Sequence, residues 1–179
     1  MLSVLSYSYS QKTKEKSLNQ VTVIGGTKKQ RQLTENVVWY CISELMPRHS
    51  TLEIEVQLTK CLDEGAYGFC GSDDGTARSF IIEVDKRLPK FKNGNPNASG
   101  LKRFIQTICH EMVHVYQTAT GLMVDRVYPV KLGSRKLWKT KDGSYVDYTH
   151  TSWSKQPWER QAVRMEGKLA KGFMKSLVK

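Results

Sequence analysis

Long apolar runs are missing from this 179-residue chain. No stretch approaches the roughly 20 consecutive apolar residues that span a bilayer, so no transmembrane helix is expected. The opening MLSVLSYSYS lacks a basic leader and breaks into QKTKEK. That makes a poor signal peptide, and the expected location is the cytoplasm in which the chain is made. Cysteine is scarce, and Cys41, Cys61, Cys70 and Cys109 form no CxxC pair, which argues against a cysteine zinc knuckle. Cys41 and Cys109 fall on or beside apolar helix faces and are expected as buried thiols. Cys61 and Cys70 flank a turn where a bridge would fit, but free thiols suit a reducing compartment better. Acid is also in short supply, with 17 Asp and Glu against 28 Lys and Arg, for a net charge of +11. The imbalance is local. Residues 1–50 carry net +4, residues 51–125 net −2 and residues 126–179 net +9. A basic C-terminal third attracts polyanions such as DNA or an acidic protein.

The length suits one domain with one core. Residues 1–28 read as an N-terminal extension, with Val21–Ile24 before Gly25-Gly26 as a short edge strand and turn. Residues 29–179 read as a single domain. Within it, Leu33, Val37, Val38, Cys41, Ile42 and Leu45 keep helical spacing over residues 29–46, and Pro47 ends that helix. Leu52, Ile54, Val56 and Leu58 alternate with polar partners, which predicts a half-buried strand over Thr51–Thr59. A short strand over Ala66–Cys70, a turn at Ser72–Gly75 and a strand over Arg78–Val84 follow. Pro89–Gly100 reads as a loop. After a helix ending near Ala119 the chain reads as irregular past Gly121. Trp138–Lys139 and Tyr145–Tyr148 then form a hairpin around Lys141-Asp142-Gly143. Pro157 opens a last helix, with Trp158, Ala162, Met165, Leu169, Phe173 and Leu177 as its apolar stripe. The order of elements predicts an α+β fold, with a small mixed or antiparallel sheet packed on the central helix.

That central helix carries the sequence's most specific motif, His110-Glu111-Met112-Val113-His114. Histidines four apart stack one turn above each other, so a single Zn²⁺ can take both imidazoles. Glu111 lies on the adjacent turn, close enough to hold a metal-bound water and take its proton. Leu101, Phe104, Ile105, Ile108, Met112, Val115, Tyr116 and Ala119 fall in a stripe about 120° wide at about 100° per residue. His110 and His114 project roughly 140–180° from its centre. The helix therefore buries one side and turns both histidines to the other, where core histidines would not sit.

A catalytic zinc usually takes three protein ligands and keeps one position open. Candidates for the third ligand are Glu159, His150 and Glu166, with Asp125 and Asp147 behind them. Glu159 stands in the first turn of the last helix, where Trp158 anchors the chain. The same carboxylate would also complement the helix dipole without any metal. His49, just past a helix end, reads as a surface residue.

Two segments, His110-Glu111-Met112-Val113-His114-Val115-Tyr116-Gln117 and Pro157-Trp158-Glu159-Arg160-Gln161-Ala162, resemble the SprT-like zincin metallopeptidases, in particular the small versions encoded by bacteriophages. The likeness covers roughly residues 30–175. It implies a zincin-like fold, Zn²⁺ on His110 and His114, and Glu111 as general base. It also implies peptide-bond hydrolysis of a protein substrate. In a phage the site of action would be the host cytoplasm. Some members use a downstream histidine as third ligand and others a glutamate on a following helix, which here matches Glu159. Glutamate-ligand members often carry an acid one turn later to support a ligating histidine. Here that position is Val163, so the support must come from elsewhere. No clear C-terminal zinc ribbon of the kind some members carry is read in these residues, so any DNA contact is expected from the Lys/Arg-rich C-terminal region. Tyr145, Tyr148 and His150, in the hairpin, are the candidate donors to the developing oxyanion, with Tyr148 the chosen one. Three readings stand beside the plain peptidase: a non-catalytic zincin-fold nucleic-acid-binding protein, a virion structural protein in which zinc only stabilises the fold, and, preferred among them, a peptidase acting on nucleic-acid-associated proteins that the basic region would dock.

Overall fold

The computed structural model describes residues 18–60, 66–72, 76–88, 91–92, 95–96, 98–127 and 134–177. Cys61 and the turn at 73–75 lie outside these residues, so neither expectation made for them is addressed. Strand β1 (Gln20–Gly25) pairs in parallel with β2 (Glu53–Thr59). Between them runs helix α1 (Lys28–Leu45). Thr27 starts that helix with a reciprocal cap. Its hydroxyl accepts from the Gln30 amide at 3.2 Å, and its own amide donates to Gln30 Oε1 at 2.8 Å. Two otherwise orphaned N–H groups are thereby satisfied. Gly25 has φ +73°, and a side chain there would collide with the Leu58 carbonyl. Only glycine lets the chain turn this close to β2.

The main sheet is mixed, in the order β1-β2-β4-β3. β4 (Ser79–Asp85) runs parallel to β2, and β3 (Gly68–Ser72) runs antiparallel to β4 at the edge. β1 lies at the opposite edge, as its short apolar run suggested. Alternation explains the layering. Leu52, Ile54, Val56 and Leu58, with Phe80, Ile82 and Val84, are buried on one face. Glu53, Glu55 and Gln57 stay on the other. The buried face packs with Val37, Val38, Cys41 and Ile42 of α1 and Phe104, Ile105, Ile108, Met112 and Val115 of the central helix in one apolar cluster. Cys41, Cys70 and Cys109 are free thiols, the first and last buried with sulfurs 3.8 Å apart.

The central helix, α2 (Ala98–Ala119), begins three residues before its apolar stripe. Ahead of it, the segment expected as a loop contains two two-residue strands, β5 (Phe91–Lys92) and β6 (Asn95–Pro96), paired antiparallel. The region past Gly121 is likewise more regular than expected. β7 (Met123–Val127) pairs with β8 (Ser134–Lys139), which pairs with β9 (Tyr145–Asp147), to make a three-stranded antiparallel sheet. β7 shows no clean two-residue alternation, because the β8 ladder rather than a buried face holds it. The expected hairpin is the β8–β9 pair. After a 3₁₀ turn at Trp153–Lys155, helix α3 (Pro157–Ser176) opens on its proline and lies against α2. Trp158, Ala162, Leu169 and Phe173 are buried, and Met165 and Leu177 partly so. Among the described residues no helix is long and apolar enough to cross a membrane.

Candidate metal centre

Helix α2 is buried on both sides. Its apolar stripe meets the sheet, and α3 covers much of the side that carries the motif. Glu111 and His114 are consequently buried although neither is apolar. The first turn of α3 then delivers Glu159. Its Oε2 lies 3.2 Å from His110 Nε2, and its Oε1 lies 3.5 Å from His114 Nε2. The two Nε2 atoms are 3.2 Å apart. One ligand atom from each of the three residues falls within 4.8 Å of the others.

The hydrogen-bond partners behind the histidines set their tautomers. His110 Nδ1 is 2.6 Å from Glu166 Oε2, and Gln106 holds the other oxygen of that carboxylate at 2.6 Å. Gln117 donates to the Trp158 carbonyl at 2.9 Å, which leaves its Oε1 to accept from His114 Nδ1 at 2.8 Å. Both Nδ1 atoms therefore donate, and in the neutral rings both Nε2 lone pairs point at each other and at a carboxylate. Three acceptors in that arrangement repel unless a cation lies among them. Donors about 2.0–2.1 Å from a tetrahedral zinc would stand roughly 3.3–3.4 Å apart. The 3.2 Å between the two Nε2 atoms and the 3.2 Å from His110 Nε2 to Glu159 Oε2 are close to that value, and the other Glu159 oxygen lies 3.5 Å from His114 Nε2. The three residues could hold a metal ion, and their chemistry suits one such as zinc.

The charges and burial around these groups shift how each of them titrates. Burial disfavours a charged His110. Its hydrogen bonds to Glu159 and Glu166, which accept, and the charges of Glu111 and Glu159 outweigh it, lifting its pKa to about 10. A proton then sits where the metal would, so metal and proton compete for Nε2. Burial raises Glu159, but the His110 hydrogen bond and the two histidine charges prevail and hold it below its usual value. Burial keeps His114 below its own, against the opposing pull of Glu159 and Gln117. Glu111 is pushed up to about 7, chiefly by burial, with the Glu159 and Glu166 charges adding to it against His110.

These groups floor a cleft of about 710 Å³ between α2, α3, β3 and β8. Gly68 of β3 is the reason Glu111 has room. A Cβ there would strike Glu111 Oε1 and come within 2.8 Å of Thr107 Cγ2. Tyr67, Phe69 and Trp153 stand exposed on the cleft walls. Arg103 packs over the Tyr67 ring at 5.2 Å.

The structure sorts the candidate residues. His110, His114 and Glu159 come together, with Glu111 beside them. Glu166 stands behind His110, two turns after Glu159, and supplies the support that Val163 does not; Val163 is half exposed. Asp147 pairs with Arg135 at 2.9 Å instead, and Asp125 and His150 are exposed outside the cluster. His49 is half-buried after α1 and also outside it. Tyr145 donates to the Gly121 carbonyl at 2.8 Å, and Tyr148 packs edge-on against Trp158. The cleft lining does not include either tyrosine or His150; it does include Lys136 of β8, which no sequence motif marked.

Removing the Glu166 carboxylate should loosen the metal without removing a ligand. Partners of this kind are typically worth about 10–100-fold in metal affinity. Glu166→Ala should lower zinc affinity by that factor in a competition titration against a chromophoric chelator. Unchanged affinity would mean that packing alone orients His110.

The fold is α+β, and the site is a half-buried group of two histidines and one glutamate that could hold a metal ion. Comparison with models of known families, with curated proteins and with solved structures finds no match to this chain.

Proposed function

We propose that this protein is a zinc-dependent metallopeptidase of the SprT-like zincin type, hydrolysing peptide bonds in protein or peptide substrates. The observation that carries the reading is the convergence of His110, His114 and Glu159 beside a buried carboxylate, Glu111, on the floor of an open cleft. A structural zinc would need no such carboxylate and usually takes four protein ligands. Among the described residues three converge.

His110, His114 and Glu159 would hold the ion, which would supply Lewis-acid polarisation of the scissile carbonyl and acidify water for attack. The remaining work falls to the chain. Glu111, buried beside the three donors, takes the proton of the attacking water and returns it to the leaving amine. Glu166 and Gln117 keep the two imidazoles in the binding tautomer. Lys136 brings a cation to the cleft wall, where it faces the negative charge that grows on the carbonyl oxygen. It takes the role first expected of Tyr148.

The cleft also suits an extended chain. Among the described residues β3 is paired on one side only, and it borders the cleft through Gly68, Phe69 and Cys70. A free strand edge offers main-chain hydrogen bonds to a peptide. The exposed aromatic side chains beside it offer apolar contact.

The test is direct. Zinc-loaded protein is incubated with an unstructured protein such as casein, and new amino termini are read by mass spectrometry. Cleavage should appear, stop with a chelator and return with zinc. Fully loaded protein that cuts neither casein nor a diverse peptide library would overturn the reading.

A further inference from the structure

Helix α3 has two faces of different chemistry. Its only acids, Glu159 and Glu166, turn toward α2 and the histidines. Arg160, Arg164, Lys168, Lys171 and Lys175 are all exposed. Their spacing is 4, 4, 3 and 4 residues. At about 100° per residue the five fall within an arc of about 80°, roughly opposite the buried residues Trp158, Ala162, Leu169 and Phe173. At about 1.5 Å per residue they form a straight row about 22 Å long. Among the described residues no carboxylate pairs with any of the five. The one side-chain bond in the row runs from Arg164 Nε to the Arg160 carbonyl, at 3.1 Å. The row is therefore uncompensated positive charge on a rigid, core-anchored helix.

We propose that this outer face of α3 docks the phosphate backbone of double-stranded nucleic acid without reading its sequence. Duplex DNA carries one negative charge per about 1.7 Å of axis, so about 22 Å of duplex offers on the order of 13 phosphates. Each of the five cations can find one. The row carries no Asn or Gln to pair with adenine edges, and attraction of its five cations to phosphates does not depend on sequence. Gln161, the nearest amide on the helix, is engaged with Gln117 at 2.9 Å. A membrane surface fits less well. A helix that lies in a bilayer interface inserts an apolar face beside its basic one, and the apolar face of α3 is already committed to the core. The inference does not depend on the peptidase reading. None of the five residues belongs to the metal cluster or lines the cleft.

The experiment uses the full chain and a fluorescein-labelled 20-base-pair duplex, with anisotropy read across a salt series. Wild type should bind with a dissociation constant of about 1–100 µM near physiological salt, equally for unrelated sequences. Replacing all five cations by alanine should flatten the slope of log K against log salt by about four to five. A control variant loses the same net charge elsewhere, at the exposed Lys28, Lys29, Lys102, Lys139 and Lys141. It should keep most of the slope. Equal loss in the two variants would overturn the proposal, because net charge and not the α3 row would then drive binding. Wild type that binds phosphatidylserine vesicles but no duplex would overturn it in favour of a lipid surface. Thermal unfolding of both variants checks the fold. Casein cleavage by the five-alanine variant reports separately on the metal site.

Discussion

Glu111→Gln should keep its metal and lose its turnover. Glutamine has nearly the same shape, and Glu111 is not one of the three converging donors. Zinc content should therefore stay at wild-type level. What disappears is the buried carboxylate beside the donors that would accept and return the proton. General acid–base catalysis contributes about 10²–10⁴-fold, equivalent to about 3–5 kcal/mol of barrier. Casein cleavage should fall by at least that factor in metal-replete protein. Retained turnover at full zinc occupancy would remove Glu111 as the base. Gly68 gives the result its structural context, because it leaves the space in which the Glu111 side chain lies.

Glu159→Ala should empty the site. Two imidazoles would remain, with no anionic donor between them. Elemental analysis of protein purified without added metal should find about one zinc per wild-type chain and little in the variant. Unchanged zinc would shift the third ligand toward His150 and break the proposed triad. Wild type with no zinc even after reconstitution would remove the hydrolase reading altogether. The pKa of His110 sharpens this prediction. With its pKa lifted to about 10, His110 favours a proton at pH 7 that a metal must displace. Zinc uptake at pH 7 should release about one proton per ion from this residue, read by calorimetry in two buffers of different ionisation enthalpy. The sign follows directly: affinity weakens as pH falls, because protons favour the empty form.

Much of this arrangement was legible in the residue order, for identifiable reasons. The apolar stripe of α2 repeats over five turns, so both the helix and the face bearing His110 and His114 followed from spacing. The alternation in β2 reads cleanly because one face is buried and the other is not. Glu159 stood out by its place in the first turn after Pro157. β7 was missed because ladder pairing holds it, and pairing leaves little trace in one strand's pattern. Glu166 was weighed as a ligand and not as the partner of His110, because its role depends on how α3 crosses α2. Its spacing of two turns from Glu159 on one face was the signal available. Lys136 had no local signal at all, since only the register of β8 brings it to the cleft.

The contact between His110 and Glu159 joins residues 49 positions apart. In polymer terms, closing a loop of that length costs about 3–4 kcal/mol of chain entropy. Trp158, Leu169, Ala170 and Phe173 already tie α3 down by burial. A metal therefore meets a loop that the core has closed beforehand, and its affinity contains the stability of that interface. The linkage runs both ways. A cavity cut anywhere under α3 should loosen the ion at a distance, and a bound ion should act as a cross-link that delays the parting of the two helices.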